Sequence, residues 1–282
     1  MERETIMQNK GKQKKPIELV KKPIIPGSWH GKDAEKMAVK RGLSVLATTA
    51  IYLFGTVILG FDAMWGRILT CFTLVVGITY YQYMQGLSQG ENDAAYGEII
   101  YSRQQNGYTV PAEESERSFH PMKGLFASLV GASPFVVFAL VYAFMAEPVY
   151  YSLGVLPTWA DGLMSQTEFA TGLNYYGVGG ELGVIGVMRI IDRAMTMPFM
   201  NVATGIGMDA VLLAERLSPL LVLISPLGYA FGYSRGQHLR DQVNTGIKMG
   251  DDRKKKREAK ARKKRQRQQQ QQQQRKGPQQ LV

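Results

Sequence analysis

Ten basic side chains fall within fourteen residues near the C-terminus: Lys254, Lys255, Lys256, Arg257, Lys260, Arg262, Lys263, Lys264, Arg265 and Arg267. A cluster of this density attracts arrays of phosphate. Beside a membrane it gains about 1 kcal/mol per basic residue from anionic lipid headgroups. The same charges would bind RNA, ribosomal RNA included, through counterion release. No aromatic residue is interleaved with them, so base stacking is not expected. A plainer role is a topology anchor that holds the neighbouring apolar segment in register.

A second group with chemical potential is Arg189, Asp192 and Arg193, followed by Thr196. Spacings of i, i+3, i+4 and i+7 place them on one face of a helix predicted over 184–197. Val187, Met188, Ile191, Ala194 and Met195 occupy the other face. Ionisable residues at membrane depth mark a site or pathway, which would suit a transporter or channel component. The alternative is the solvated face of a helix lying in the interface plane, with Asp192 bridging the arginines. The regular spacing favours the alternative.

Other reactive constellations are missing from the sequence. His30, His120 and His238 lack the spacing of metal ligands. The glycines of 177–183 are not followed by Gly-Lys-Ser/Thr and follow no strand, so they do not form a phosphate loop. No nucleophile elbow is present. Cys71 is the single cysteine and reads as a small buried hydrophobe. No catalytic residue, cofactor or metal is therefore expected, and the chain reads as a non-enzyme.

The elements that must carry these groups follow from the distribution of charge. No lysine occurs between Lys123 and Lys248. Residues 1–41 carry eleven Lys/Arg against five Asp/Glu, residues 248–282 fourteen against three, and residues 42–247 nine against fifteen. The overall charge of +11 thus belongs to the ends. The mean hydropathy of −0.15 averages apolar runs with very polar tails.

A membrane-crossing helix needs about 20 predominantly apolar residues. Residues 42–61 and 124–146 meet that requirement without a single charge. Residues 68–87 form a second span, with Tyr80, Tyr81 and Tyr83 as an aromatic belt at its far end. Asp62, Trp65, Gly66 and Arg67 make the turn of a hairpin between the first two spans. Residues 217–233 form a marginal fourth span interrupted by Pro219 and Pro226, with Asp209–Leu213 as a separate short segment before it. Glu215 and Arg216 fall at its outer edge. A break at the prolines would create half-helices of the kind that build transporter sites, although a kink is the simpler reading.

The remaining segments connect these spans. Residues 1–41 read as a basic, largely disordered cytoplasmic arm, whose last residues start a helix with Asp33 as N-cap. Residues 88–123 form a cytoplasmic linker, helical over 91–105 and stopped at Asn106-Gly107. Residues 147–215 form an extracytoplasmic or interfacial amphipathic region, and residues 234–282 a Lys/Arg/Gln-rich cytoplasmic tail. Short basic flanks stay in the cytoplasm, so both termini belong there and the crossings are even in number. The expectation is an all-α integral membrane protein with four transmembrane helices, in the plasma membrane. Its function is that of a scaffold or accessory subunit. Its partners are membrane lipids with anionic headgroups, other membrane subunits, and the ribosome or RNA through the tail.

Overall fold

The computed structural model describes residues 19–147 and 183–275. The first 18 residues of the expected basic arm, residues 148–182 of the expected interfacial region and the last seven residues of the tail lie outside them. Every regular element among the described residues is helical: α1 (Lys32–Ile58), α2 (Met64–Gln105), α3 (Ala112–Glu116), α4 (Lys123–Met145), α5 (Val184–Met195), α6 (Met197–Ile206), α7 (Met208–Ser234) and α8 (Gly236–Arg275). Among the described residues three helical segments are long and apolar enough to cross a membrane: α1, α4 and the one that begins at Met208. The segment 68–87 of α2 is interspersed with Thr, Tyr and Gln and does not join that set.

The chain divides into two compact units. The larger, residues 23–239, is built around α7, which packs most extensively on α2 and α4, while α1 packs on α4. Small residues let these backbones approach. A Cβ on Gly86 would collide with the Tyr229 carbonyl, and one on Gly232 with the Tyr83 carbonyl. Gly90 on α2 meets the first residue of α8, Gly236, while Gly86 lies against Tyr229 and Gly232 against Tyr83; Gly86 and Gly90 are four apart, as are Gly232 and Gly236. Small residues at that spacing are a recurrent device where hydrocarbon surrounds both helices and close backbone contact must supply the attraction. Gly131 meets the Ala38 carbonyl and Gly42 in a similar seam between α1 and α4.

Several expectations need correction. The last apolar run is not marginal: α7 spans 27 residues without interruption, and Asp209–Leu213 forms its first turns. Pro219 and Pro226 sit inside it, so no pair of half-helices arises. Gly207, at φ 147°, separates it from α6. The hairpin turn lies at 59–63, and Trp65, Gly66 and Arg67 belong to the first turn of α2. Helix α2 runs on through the expected linker helix to Gln105, where Gly107 at φ 82° ends it. Asp33 does not cap α1; Gly31 holds the cap position and no side chain bonds there.

The basic arm is ordered from Pro23. Gly27 N–H donates to the Phe119 carbonyl at 3.0 Å, and the Trp29 ring meets Phe126 edge-on at 5.4 Å. These contacts supply the backbone partners and apolar burial that a free arm lacks. The smaller unit, residues 1–22 and 240–282, holds most of α8, and Val20 N–H donates to the Thr245 hydroxyl at 2.9 Å. Helix α8 is continuous over 40 residues. The helix-favouring Ala, Lys, Arg, Glu and Gln of this stretch outweigh its like-charge repulsion.

Candidate functional site

Helix α5 brings Arg189, Asp192 and Arg193 together, with their face turned inward. Asp192 and Thr196 are fully buried, whereas Val184, Ile185, Val187, Ile190 and Ile191 on the opposite side are exposed. The polar face meets α4 and α7. Arg193 Nε donates to Glu215 Oε1 at 2.7 Å, and Arg189 Nε lies 3.6 Å from the same oxygen. Arg189 Nε also donates to the Tyr142 hydroxyl at 2.8 Å, and its Nη2 to the Glu147 carbonyl at 2.8 Å.

Glu215, 2% exposed at its side chain, is therefore the carboxylate between the two arginines, and Asp192 is not. Neither Asp192 oxygen meets a cation within ion-pair distance among the described residues; its polar neighbour is the buried hydroxyl of Ser218. Burial pushes the Asp192 carboxyl up to about 7; Glu215 adds to the rise, while Ser218 and Arg193 oppose it. The carboxyl is thus held well above its usual range, inside a cluster whose arginines pair with Glu215.

A second charged cluster lies where α4 begins. Lys123 is wholly buried, with its ammonium 2.6 Å from Asp33 Oδ2 and 3.3 Å from Asp93 Oδ2. The carbonyls of Glu116 and Arg117, at 3.1 and 3.2 Å, take its remaining capacity. Tyr233 O–H donates to Asp93 Oδ2 at 2.6 Å, and Gln89 Nε2 to Asp93 Oδ1 at 2.8 Å. Burial raises the Asp93 carboxyl above its usual range, against the pull of Lys123. Helices α1, α2, α4 and α7 all place charged or polar groups at this point, so the cluster ties four helices together. Its members are fully partnered, which suits a structural lock.

No family model, curated protein or solved structure matches the chain. What it does has to be argued from its own geometry.

The ten basic residues of the tail all lie on α8, and every side chain from 250 to 271 is exposed. Lys254, Lys255, Lys256 and Arg257 are consecutive, so steps of about 100° carry them right round the helix. The result is a cationic rod with no apolar face.

Sequence reasoning missed Glu215, Tyr142 and the Lys123 cluster. Glu215 lies 22 residues from Arg193, and Tyr142 lies 47 from Arg189. No local periodicity links them. The isolation of Lys123, the last lysine before a gap of more than a hundred residues, was the one available signal that its charge has a particular partner.

Proposed function

We propose that the chain is a four-span protein of the plasma membrane with both termini in the cytoplasm. In this reading it acts as a non-enzymatic scaffold or accessory subunit whose basic helix engages a phosphate-bearing polyanion. The observation that carries it is the contrast between α8 and the larger unit. The rod exposes cations on all sides, while the larger unit exposes Phe54, Val57, Ile58, Phe72, Phe144 and Leu220 and keeps its charged clusters inside. Exposed apolar surface on that scale is unusual against water and ordinary against lipid. Hydrocarbon also accounts for α5, whose apolar side faces out and whose ionic side is buried.

The partner offers phosphate in an array, either as headgroups of a vesicle surface or along ribosomal RNA. Truncation after Gly250 removes all ten cations. Full-length protein in detergent or proteoliposomes is expected to bind vesicles of acidic phospholipid or purified ribosomes, with affinity that falls steeply as salt rises. The truncated chain is expected to lose that binding. Equal binding by both forms would reduce the tail to a topology anchor. Binding to ribosomes alone would favour a tether, a role suited to a rod charged on every side, because a flat surface reaches only one of its faces.

Asp192 favours a second reading, a transporter or channel component. A buried carboxyl without a paired cation, beside a carboxylate held by two arginines, suits a group that changes its proton or ion partner. Asp192→Asn should then abolish a flux measured in liposomes while insertion is retained. An unchanged flux removes this reading.

A further inference from the structure

We propose that the groove between α1 and α2 is a binding site for one acidic phospholipid of the cytoplasmic leaflet, with Arg41 holding its phosphate. The inference rests on the membrane placement proposed above.

The deciding group is Arg41. Its Nη1 donates to Gln82 Oε1 at 3.1 Å and to Gln85 Oε1 at 3.2 Å, and its guanidinium lies 4.0 Å above the Tyr229 ring. Its Nε is buried with no hydrogen-bond partner among the described residues. Lys123, Arg189 and Arg193 each meet a carboxylate. The partners of Arg41 among the described residues are neutral, so the site carries a net positive charge. Neutral amides and a ring position a guanidinium without cancelling it, which leaves it free to bind an anion.

The space beside Arg41 has the polarity of an amphiphile. An open groove of about 600 Å³ runs from Arg41 and Gln85 past Ser44 and Thr48 to Ile51 and Gly77. Its charged end stands at the predicted cytoplasmic boundary of the two spans. Leu43, exposed on α1, flanks it next to Arg41, and exposed Ile51 flanks it toward the centre of the bilayer. From Arg41 to Ile51 is ten residues, or about 15 Å of helix. That is half of the roughly 30 Å hydrocarbon thickness. A groove one leaflet deep, charged at the surface end and apolar at the other, fits a lipid of that leaflet. A spanning peptide would need twice the length and would not require the cation.

The test is native mass spectrometry of the full chain in a non-ionic detergent, titrated with dioleoylphosphatidylglycerol and with dioleoylphosphatidylcholine. A variant with the ten tail cations changed to Gln separates this site from the tail. That variant is expected to retain one tightly held phosphatidylglycerol per chain and to prefer it over phosphatidylcholine. Arg41→Gln should weaken it about tenfold, and Arg41→Lys should weaken it less. Gly77→Phe should exclude the acyl chain without disturbing the fold, because a Cβ at Gly77 meets nothing within 4 Å. Affinity unchanged in both Arg41→Gln and Gly77→Phe overturns the proposal. A photoreactive residue at Ile51 should acquire a lipid-sized adduct in native membranes, and a polypeptide adduct there would overturn it equally. If the chain can be washed from membranes with alkali, the membrane placement itself fails. A firmly integrated chain with no groove lipid defeats only the present inference.

Discussion

Asp192 and Lys123 show how differently two buried charges of one chain are treated. Lys123 is ringed by two carboxylates and two carbonyls. Removing it would strand Asp93 in a buried site, and breaking a buried pair costs about 3–5 kcal/mol. Lys123→Met is accordingly expected to lower thermal stability in detergent severely. Lys123→Met combined with Asp93→Asn should recover part of the loss, as a double-mutant cycle would measure. Asp192 has no such ring. Its carboxyl holds a proton more tightly in the folded chain than in the unfolded one, since burial lifts it from 3.8 to about 7. The stability linked to that proton is complete below 3.8 and is lost as pH rises toward 7. Asp192→Asn should flatten the unfolding midpoint across that interval and leave the variant more stable than the parent near neutrality. A profile that keeps its slope in the variant would locate the titration elsewhere. None of these partnerships was legible in the sequence, because charge pairing is set by which helices touch. The i, i+3, i+4 spacing of Arg189, Asp192 and Arg193 did establish that they share a face.

Among the elements, α7 carries the largest share of the packing. Its glycines and those of α2 form a seam in which Gly86 and Gly232 each lie against a backbone carbonyl of the other helix. A backbone atom cannot swing aside as a side chain does. Gly232→Leu should therefore separate α2 from α7 and destabilise the chain by at least the 1–3 kcal/mol usual for overpacking. Gly77→Leu, on an open part of α2, serves as the matched control and should cost little, with both read as unfolding midpoints in the same detergent. The spacing of Gly232 and Gly236 was present in the sequence, but its significance depends on finding Gly86 and Gly90 opposite. The proline-bearing run illustrates the converse error. Local rules weaken a helix at Pro219 and Pro226, yet α7 continues through both, because packing on two neighbours replaces what each missing N–H removes.

At the scale of the whole molecule, charge and hydropathy partition the chain. Every regular element among the described residues is helical, and the three long apolar helices there are compatible with a multi-pass membrane protein. Cysteine labels placed at Met1 and Val282 in a Cys71→Ser background should both react only after the cytoplasmic face is opened. Labels that react on opposite faces would remove the even count of crossings. Helix α8 gives a second molecular prediction. With each phosphate contact contributing to the salt dependence, changing five of the ten clustered cations to Gln should lower the slope of log affinity against log salt by several units.

The amino-acid sequence by itself determined the helical class, the apolar segments of α1 and α4, the stop at Asn106-Gly107 and the concentration of cations in the tail. Each depends on composition or on periodicity within one segment, where neighbours in sequence are neighbours in space. Only the tertiary structure decided that Glu215 binds the arginines, that Asp33 and Asp93 bury Lys123, and that Arg41 faces a groove without a counter-charge. Those outcomes depend on which faces of separate helices meet, and residues dozens of positions apart carry no local pattern that records it.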